Sequence, residues 1–230
     1  MKPDIIAKAN SIVNNCEEGY FSVINKKGYP ETATRSNIKP DGIRSCYFST
    51  GSDAPMSLSI KSESRTSVCF RKGQDNVTLI GESVVVEDMK IKKDLWIDWF
   101  INHFPGGPED PAYCVVHFET KEVSLWIDRE QVNFELRDVL KVQSACGLLC
   151  DFCNFKESQN CKGCLSTGGK PFYGICPIAQ CCIEKGLEHC GQCDQMPCEK
   201  LKEYSCGEGE HCDNPKGSRL KVLGMWLPQK

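Results

Sequence analysis

The cysteines are spread unevenly along the chain. Of seventeen in 230 residues, Cys16, Cys46, Cys69 and Cys114 are scattered through the first 145 positions, and the other thirteen crowd into the 85 residues from Cys146 to the end. A density step of that size marks a domain boundary, since a chain of this length supports one sizeable core and a smaller module. It divides the sequence into residues 1–142, a cysteine-rich stretch at 143–205 and a tail at 206–230.

Within the crowded stretch the spacing is informative. It reads CGLLCDFC, then CKGC, then CPIAQCC and finally CGQCDQMPC. In a C-x-x-C turn both sulfurs can point at one ion, so Cys150, Cys153, Cys161 and Cys164 supply the four thiolates of a tetrahedral site, with Cys146 beside them. Cys190, Cys193 and Cys198, joined by one of Cys176, Cys181 or Cys182, suit a second site. Gly147, Gly163 and Gly191 are placed to allow the positive φ angles that such turns use. Zinc and an iron–sulfur cluster both take four thiolates. The strict ferredoxin run C-x-x-C-x-x-C-x-x-x-C-P is absent, which favours zinc and keeps the cluster as the alternative. About 60 residues with few aliphatics bury too little area to fold unaided, so the module is expected to be metal-stabilised and α-rich or irregular.

The remaining composition excludes more than it assigns. A formal net charge of −3 leaves no basic footprint, so nucleic acid is not an expected partner. The N-terminus lacks the apolar core of a signal peptide, and no apolar run approaches the length of a membrane span. A cytoplasmic protein without membrane contact is the expectation, and a reducing compartment argues against a disulfide scaffold.

Before the step, the pattern is mainly β. Ile5, Ile6, Ala9, Ile12 and Val13 recur at helical spacing between Asp4 and Glu18. Tyr20 to Asn25, Glu31 to Ile38 and Ile43 to Thr50 read as strands joined by the GYP and PDG turns. A short helix from Pro55 to Ser64 precedes two β-branched strands, TSVCFRK and NVTLIGESVVVED. Met89 to Phe104 reads as one amphipathic helix, with Leu95, Trp96, Trp99, Phe100 and Phe104 as its apolar side. AYCVVHFET, KEVSLWIDRE and VNFEL add strands, giving six to eight antiparallel strands in a small barrel. His103 and His117 read as structural, and no residue stands out as catalytic.

Taken in order, YFSVI, GYPETAT, IRSCYFSTGS, SVCF, VTLIGE, the Trp-rich segment, HFPGGPEDPAY and VSLWID resemble the pyridoxamine 5'-phosphate oxidase-like proteins, in particular the general-stress branch, over residues 10 to 130. The resemblance implies a split β-barrel with flanking helices, assembled as a homodimer that binds FMN. It implies cofactor contacts from Thr34 and Arg35 on the strand after Pro30, from Phe48, Ser49, Thr50 and Ser52, and from Trp126. Two positions depart from the family pattern: Ala33 stands where an Arg is usual, and Met56 where a Lys is usual. Arg35 lies two residues along the same strand, hence on the same face as position 33, and can replace the missing cation. Lys61 and Arg71 are further candidates. From Cys146 to about residue 203 the chain resembles an uncharacterised cysteine-rich domain, opening CGL-x-C-x-x-C and closing GQCDQMPCE.

These readings point to an FMN-dependent oxidoreductase acting on a small molecule, with a thiolate-metal module. The alternative is a non-enzymatic dimeric binding or regulatory protein, whose barrel is empty and whose zinc module recognises a partner. Ala33 and Met56 favour the alternative.

Overall fold

Alternation of apolar and polar residues, broken by glycine-containing turns, produces a run of antiparallel strands in which every second side chain is enclosed. The computed structural model describes residues 3–208, 212–213 and 216–227. The chain divides into two compact units, one comprising Ala9–Leu136 and the other Met1–Lys8 with Arg137–Lys230.

The first unit is the barrel. Its strands are β1 (Glu18–Ile24), β2 (Pro30–Asp41), β3 (Ser45–Gly51), β4 (Arg65–Lys72), β5 (Asp75–Val85), β6 (Tyr113–Ile127) and β7 (Glu130–Glu135). They run β3-β2-β1-β4-β5-β6-β7, and an additional β3–β6 pairing closes the first six into a barrel, with β7 at the margin of β6. Closure leaves the six strands without a free edge. Phe21, Phe48, Phe70 and Phe118 fill the interior, with Phe21 edge-on to Phe48 at 5.0 Å and to Phe118 at 6.3 Å.

Helix α1 (Pro3–Asn15) supplies polar side chains that finish the turns of the barrel. Asn10 Oδ1 accepts from Ile43 N at 2.9 Å and Asn14 Oδ1 from Gly42 N at 2.7 Å. Gly42 has φ +54°, and a Cβ there would stand 1.9 Å from Asn10 Oδ1, so the PDG turn admits only glycine. Helix α2 (Pro55–Ser62) buries Met56 and Ile60.

Two expectations are corrected. The segment from Met89 to Phe104 is not one helix: helix α3 (Met89–Asp94) stops, Ile97 is extended, and a 3-10 turn covers Asp98–Asn102. The break seats Leu95 and Phe100 beside Tyr113 and Val115, with Trp96 and Phe104 packed on that cluster, while Trp99 stays half exposed. The two strands expected from AYCVVHFET and KEVSLWIDRE are a single strand, β6. It pairs with β3 over Tyr113–Glu119 and with β7 over Glu122–Ile127, and its register against β5 shifts at Ile80/Gly81. Gly81 permits that shift, because a Cβ on it would lie 1.9 Å from the Glu119 carbonyl oxygen.

The second unit holds α4 (Leu136–Leu140, shared with the first at its first residue), α5 (Asn154–Ser158), α6 (Pro177–Glu184), α7 (Glu199–Cys206) and α8 (Ser218–Met225), linked by irregular chain. Its apolar centre includes Leu149, Ile178, Leu201, Val222 and Leu223. The tail contributes α8 to this centre. Trp226 Nε1 donates to Val139 O at 2.8 Å, and Arg219 pairs with Asp213 at 2.8 Å. Positions 209–211, 214–215 and 228–230 of the tail lie outside the described residues. Among those described, no helix is long and apolar enough to cross a membrane.

Candidate functional site

Side chains opposite one another in antiparallel strands share a face, so the register locates a surface that no single strand reveals. Thr34 faces Tyr20, Tyr20 faces Cys69, and Cys69 faces Thr78. One step along, Arg71 faces Asn76 and Asn76 faces Trp126. Both rows lie on the outside of the barrel, where Tyr20 is 53% and Trp126 40% exposed. At about 4.8 Å between strands, the row from Arg71 to Trp126 spans about 10 Å.

A cleft of about 310 Å³ opens at one end of these rows, lined by Glu18, Gly19, Tyr20, Thr34, Arg71 and Gly73. That volume is within the range of small-ligand sites. Arg71 spends Nε on the Gly73 carbonyl at 3.0 Å, which leaves its two Nη groups for an anion. The Thr34 hydroxyl and the Tyr20 phenol add neutral donors beside it.

Of the seven residues expected at a cofactor, six divide between the two faces of the barrel wall. Thr34 and Trp126 are on the open outer surface with Arg71. Ser49 faces outward too, but opposite Val115, in the sector packed under the Trp-rich segment. Phe48 and Thr50 point inward and are enclosed, so their side chains belong to the core. Arg35 shares its face with Ala33, as expected, and this is the inner face, because Ala33 opposes buried Phe21 and Arg35 opposes Gly19. Its Nη1 donates to Thr34 O at 2.7 Å, while its Nε is buried without a partner. Ser52 lies beyond β3, where its N–H donates to Ala112 O at 2.9 Å. Tyr20, Cys69 and Asn76 were missed by the sequence reading, although alternation within β1, β4 and β5 marks each as outward-facing.

An aromatic plane, a guanidinium with its two Nη groups unspent and two hydroxyls on one surface fit a planar cofactor bearing a phosphate. The Arg35 guanidinium, its Nε unspent, is on the inner face of β2 and does not join this surface.

In the cysteine-rich unit the thiols fall into two groups. Burial pushes the Cys150 thiol up to about 12, and the sulfurs of Cys146, Cys164, Cys153 and Cys161 act on it in the same sense. Burial likewise pushes Cys164 up to about 11, with Cys146 and Cys176 adding to it. In the C-x-x-C turn at Cys161, Gly163 has φ +79° and directs its N–H to Cys161 Sγ at 3.4 Å, while Ala145 N donates to Cys164 Sγ at 3.4 Å. Amide donors of this kind stabilise thiolates that hold a metal.

The second group is Cys181, Cys182, Cys190, Cys193 and Cys198, which line one small cavity. Gly147 has the expected positive φ, at +89°. Gly191 does not; it is required because a Cβ would meet His189 Nδ1 at 2.8 Å and Leu223 O at 3.0 Å. Cys206 is exposed, and Cys212 Sγ donates to Glu203 O. Among the described residues, no three His, Cys, Asp or Glu side chains stand close enough together to hold an ion. The thiols are thus gathered by chemistry and fold, without a closed ligand set.

A family model described as pyridoxamine 5'-phosphate oxidase like matches residues 6–143, and one described as a protein of unknown function, DUF3795, matches residues 142–203. No curated protein matches the chain. Among solved structures, a protein related to general stress protein 26 of B. subtilis, from Clostridium acetobutylicum, superposes with a TM-score of 0.56 at 19% identity, covering 60% of this chain and 99% of that one. General stress protein 26 from Bacillus anthracis gives 0.48 at 19% identity, covering 56% and 97%. A heme binding protein from Mycobacterium smegmatis gives 0.49 at 12% identity, covering 59% of each chain. The first of these likenesses establishes the fold and nothing beyond it.

Proposed function

The chain belongs to the pyridoxamine 5'-phosphate oxidase-like family, and on that premise we propose that it is an FMN-dependent oxidoreductase acting on a small molecule, working as a cytoplasmic homodimer that carries a thiolate-metal module. The observation that carries this reading is the in-register row Arg71–Asn76–Trp126 beside the cleft that Arg71 shares with Thr34 and Tyr20. In it, Arg71 holds the phosphate with help from the Thr34 hydroxyl, and Trp126 supplies an aromatic surface. Bound FMN would supply the hydride or electron transfer, which asks of the protein only binding, orientation and control of water.

The test is the ultraviolet–visible spectrum of protein purified without oxygen, followed by FMN titration of Arg71→Met. A charge-assisted bond contributes about 1.5–3 kcal/mol, so the variant should bind FMN about 10- to 150-fold more weakly. Unchanged affinity would remove Arg71 from the site. A heme spectrum in place of a two-banded flavin spectrum would overturn the cofactor.

One observation favours the second reading, a dimeric binding protein with an empty barrel. Met56, standing where the resemblance leads one to expect a phosphate-binding Lys, is buried in the core, and Ala33 offers no polar group at all. A colourless chain that takes up no added FMN selects that reading.

A further inference from the structure

Three elements of the cysteine-rich unit converge on a cavity of about 20 Å³, room for a single atom-sized occupant. Helix α6 brings Cys182, the 3-10 turn at Cys190–Gln192 brings Cys190 and Cys193, and the start of α7 brings Cys198. Its walls are otherwise largely apolar, including Leu187 and Leu201, so the sulfurs are the groups able to meet an occupant. Cys182 and Cys190 are both buried, and their sulfurs are 3.6 Å apart. A disulfide needs about 2.05 Å. Two vertices of a tetrahedron with zinc–sulfur bonds of about 2.3 Å are about 3.8 Å apart, close to the observed spacing.

From this we propose that Cys182, Cys190, Cys193 and Cys198 bind one zinc ion in this cavity, and that Lys185 is its charge-balancing partner. The proposal rests on the reading of the module as a thiolate-metal unit and assigns one of its sites. Both members of the pair Cys181–Cys182 line the cavity, but neighbouring helical residues point about 100° apart, and Cys182 is the one whose sulfur lies beside Cys190. Cys182 is enclosed, whereas Cys181 is only partly buried. Cys198 precedes α7 without spending its sulfur on the helix amides.

The four sulfurs must draw together to close on an ion, since no three of them stand close enough as they are, and Cys193 is one that has to move. Its sulfur lies 3.4 Å from Lys185 Nζ and 3.8 Å from Asp194 Oδ1, and closing the site requires it to turn inward. Zinc binding releases the four thiol protons and leaves a ZnS₄ unit of charge −2. The Lys185 ammonium then offsets part of that charge, donating to a thiolate rather than to a thiol. Lys185 also bonds Gln195 Oε1 at 3.0 Å, which keeps it beside the turn.

The experiment uses the full chain purified under reducing conditions, with zinc counted by mass spectrometry. Cys182→Ser should carry one zinc fewer per chain than the unaltered protein, and Cys181→Ser the same number. In case serine at the buried position unfolds the module, Cys182→His and Cys181→His are loaded with cobalt. The first keeps four ligands and should shift the visible bands to shorter wavelength, while the second should leave them in place. Metal present but insensitive to position 182, or equally sensitive to both positions, overturns the assignment alone. An unaltered chain without thiolate-bound metal overturns the module reading as well, and the flavin spectrum of the same sample reports on the barrel separately.

Discussion

Phe48 separates core from cofactor site in one substitution. It sits within the FST run that the family resemblance places at the flavin, yet its ring is completely enclosed, edge-on to Phe21 at 5.0 Å and stacked on Phe70 at 6.4 Å. Truncating such a residue to alanine removes the transfer energy of the ring and leaves a cavity, about 3–5 kcal/mol together. Of that, roughly 0.5–1.5 kcal/mol belongs to the aromatic pair. A domain of this size is stable by about 5–15 kcal/mol, so Phe48→Ala forfeits a large share of it. With a urea slope of about 2 kcal/mol per molar, a 4 kcal/mol loss lowers the midpoint by about 2 M. The measurement is urea unfolding of the barrel transition, with FMN affinity determined in the folded range. Phe48→Leu, which nearly conserves volume, should cost less than about 1.5 kcal/mol, and FMN affinity should hold in both variants. A midpoint lowered by under 0.5 M together with collapsed FMN affinity would refute the placement of Phe48 in the core.

Two further outcomes follow from local geometry. Gly81→Ala forces a methyl carbon to within 1.9 Å of the Glu119 carbonyl oxygen and 3.0 Å of Thr120 Cα, both backbone, so the β5–β6 register must give way. Overpacking of this kind costs about 1–3 kcal/mol, and thermal unfolding unchanged from the parent would contradict the bulge. His117 stacks on Tyr47 at 4.4 Å, and its burial holds the imidazolium below the usual histidine range, with Glu119 opposing the shift. The unfolded chain therefore takes up this proton first as pH falls, so the stabilisation is complete above about 6.5 and is lost progressively below it. Melting temperatures of His117→Gln between pH 7.5 and 5.5 should fall less steeply than those of the parent; parallel curves would show that His117 is not a source of the slope.

The parts of the fold that were readable from the chain are those set by local chemistry. The PDG turn needs a glycine at φ +54°, and the alternation in SCYFSTG puts Cys46, Phe48 and Thr50 on one face, although only the structure shows that this face is the enclosed one. Two features escaped because their causes are distant in sequence. The apolar period through Trp96, Phe100 and Phe104 suits one helix as well as a helix and a 3-10 turn, and contact with Tyr113 and Val115 selects the second. The polar break at Thr120–Glu122 resembles a turn, yet β6 continues through it because β5 runs alongside and Gly81 lets the two backbones approach.

The candidate sites divide along the same line. C-x-x-C spacing is a local signal, and the turns at Cys150, Cys161 and Cys190 are written into it. Which member of Cys181–Cys182 faces the other thiols depends on the phase of α6, and that phase is set by burial of Ile178 and Ala179, so spacing alone could not choose. On the barrel, alternation assigns a face to each residue of a strand but does not say which residues of other strands stand beside it. Thr34 and Trp126 are 92 positions apart, and the strands between them bring both to the surface that holds Arg71. Position 33 is on the inner face of β2, so the missing family cation bears on that face alone, and register delivers the Arg71 guanidinium to a different, outer surface.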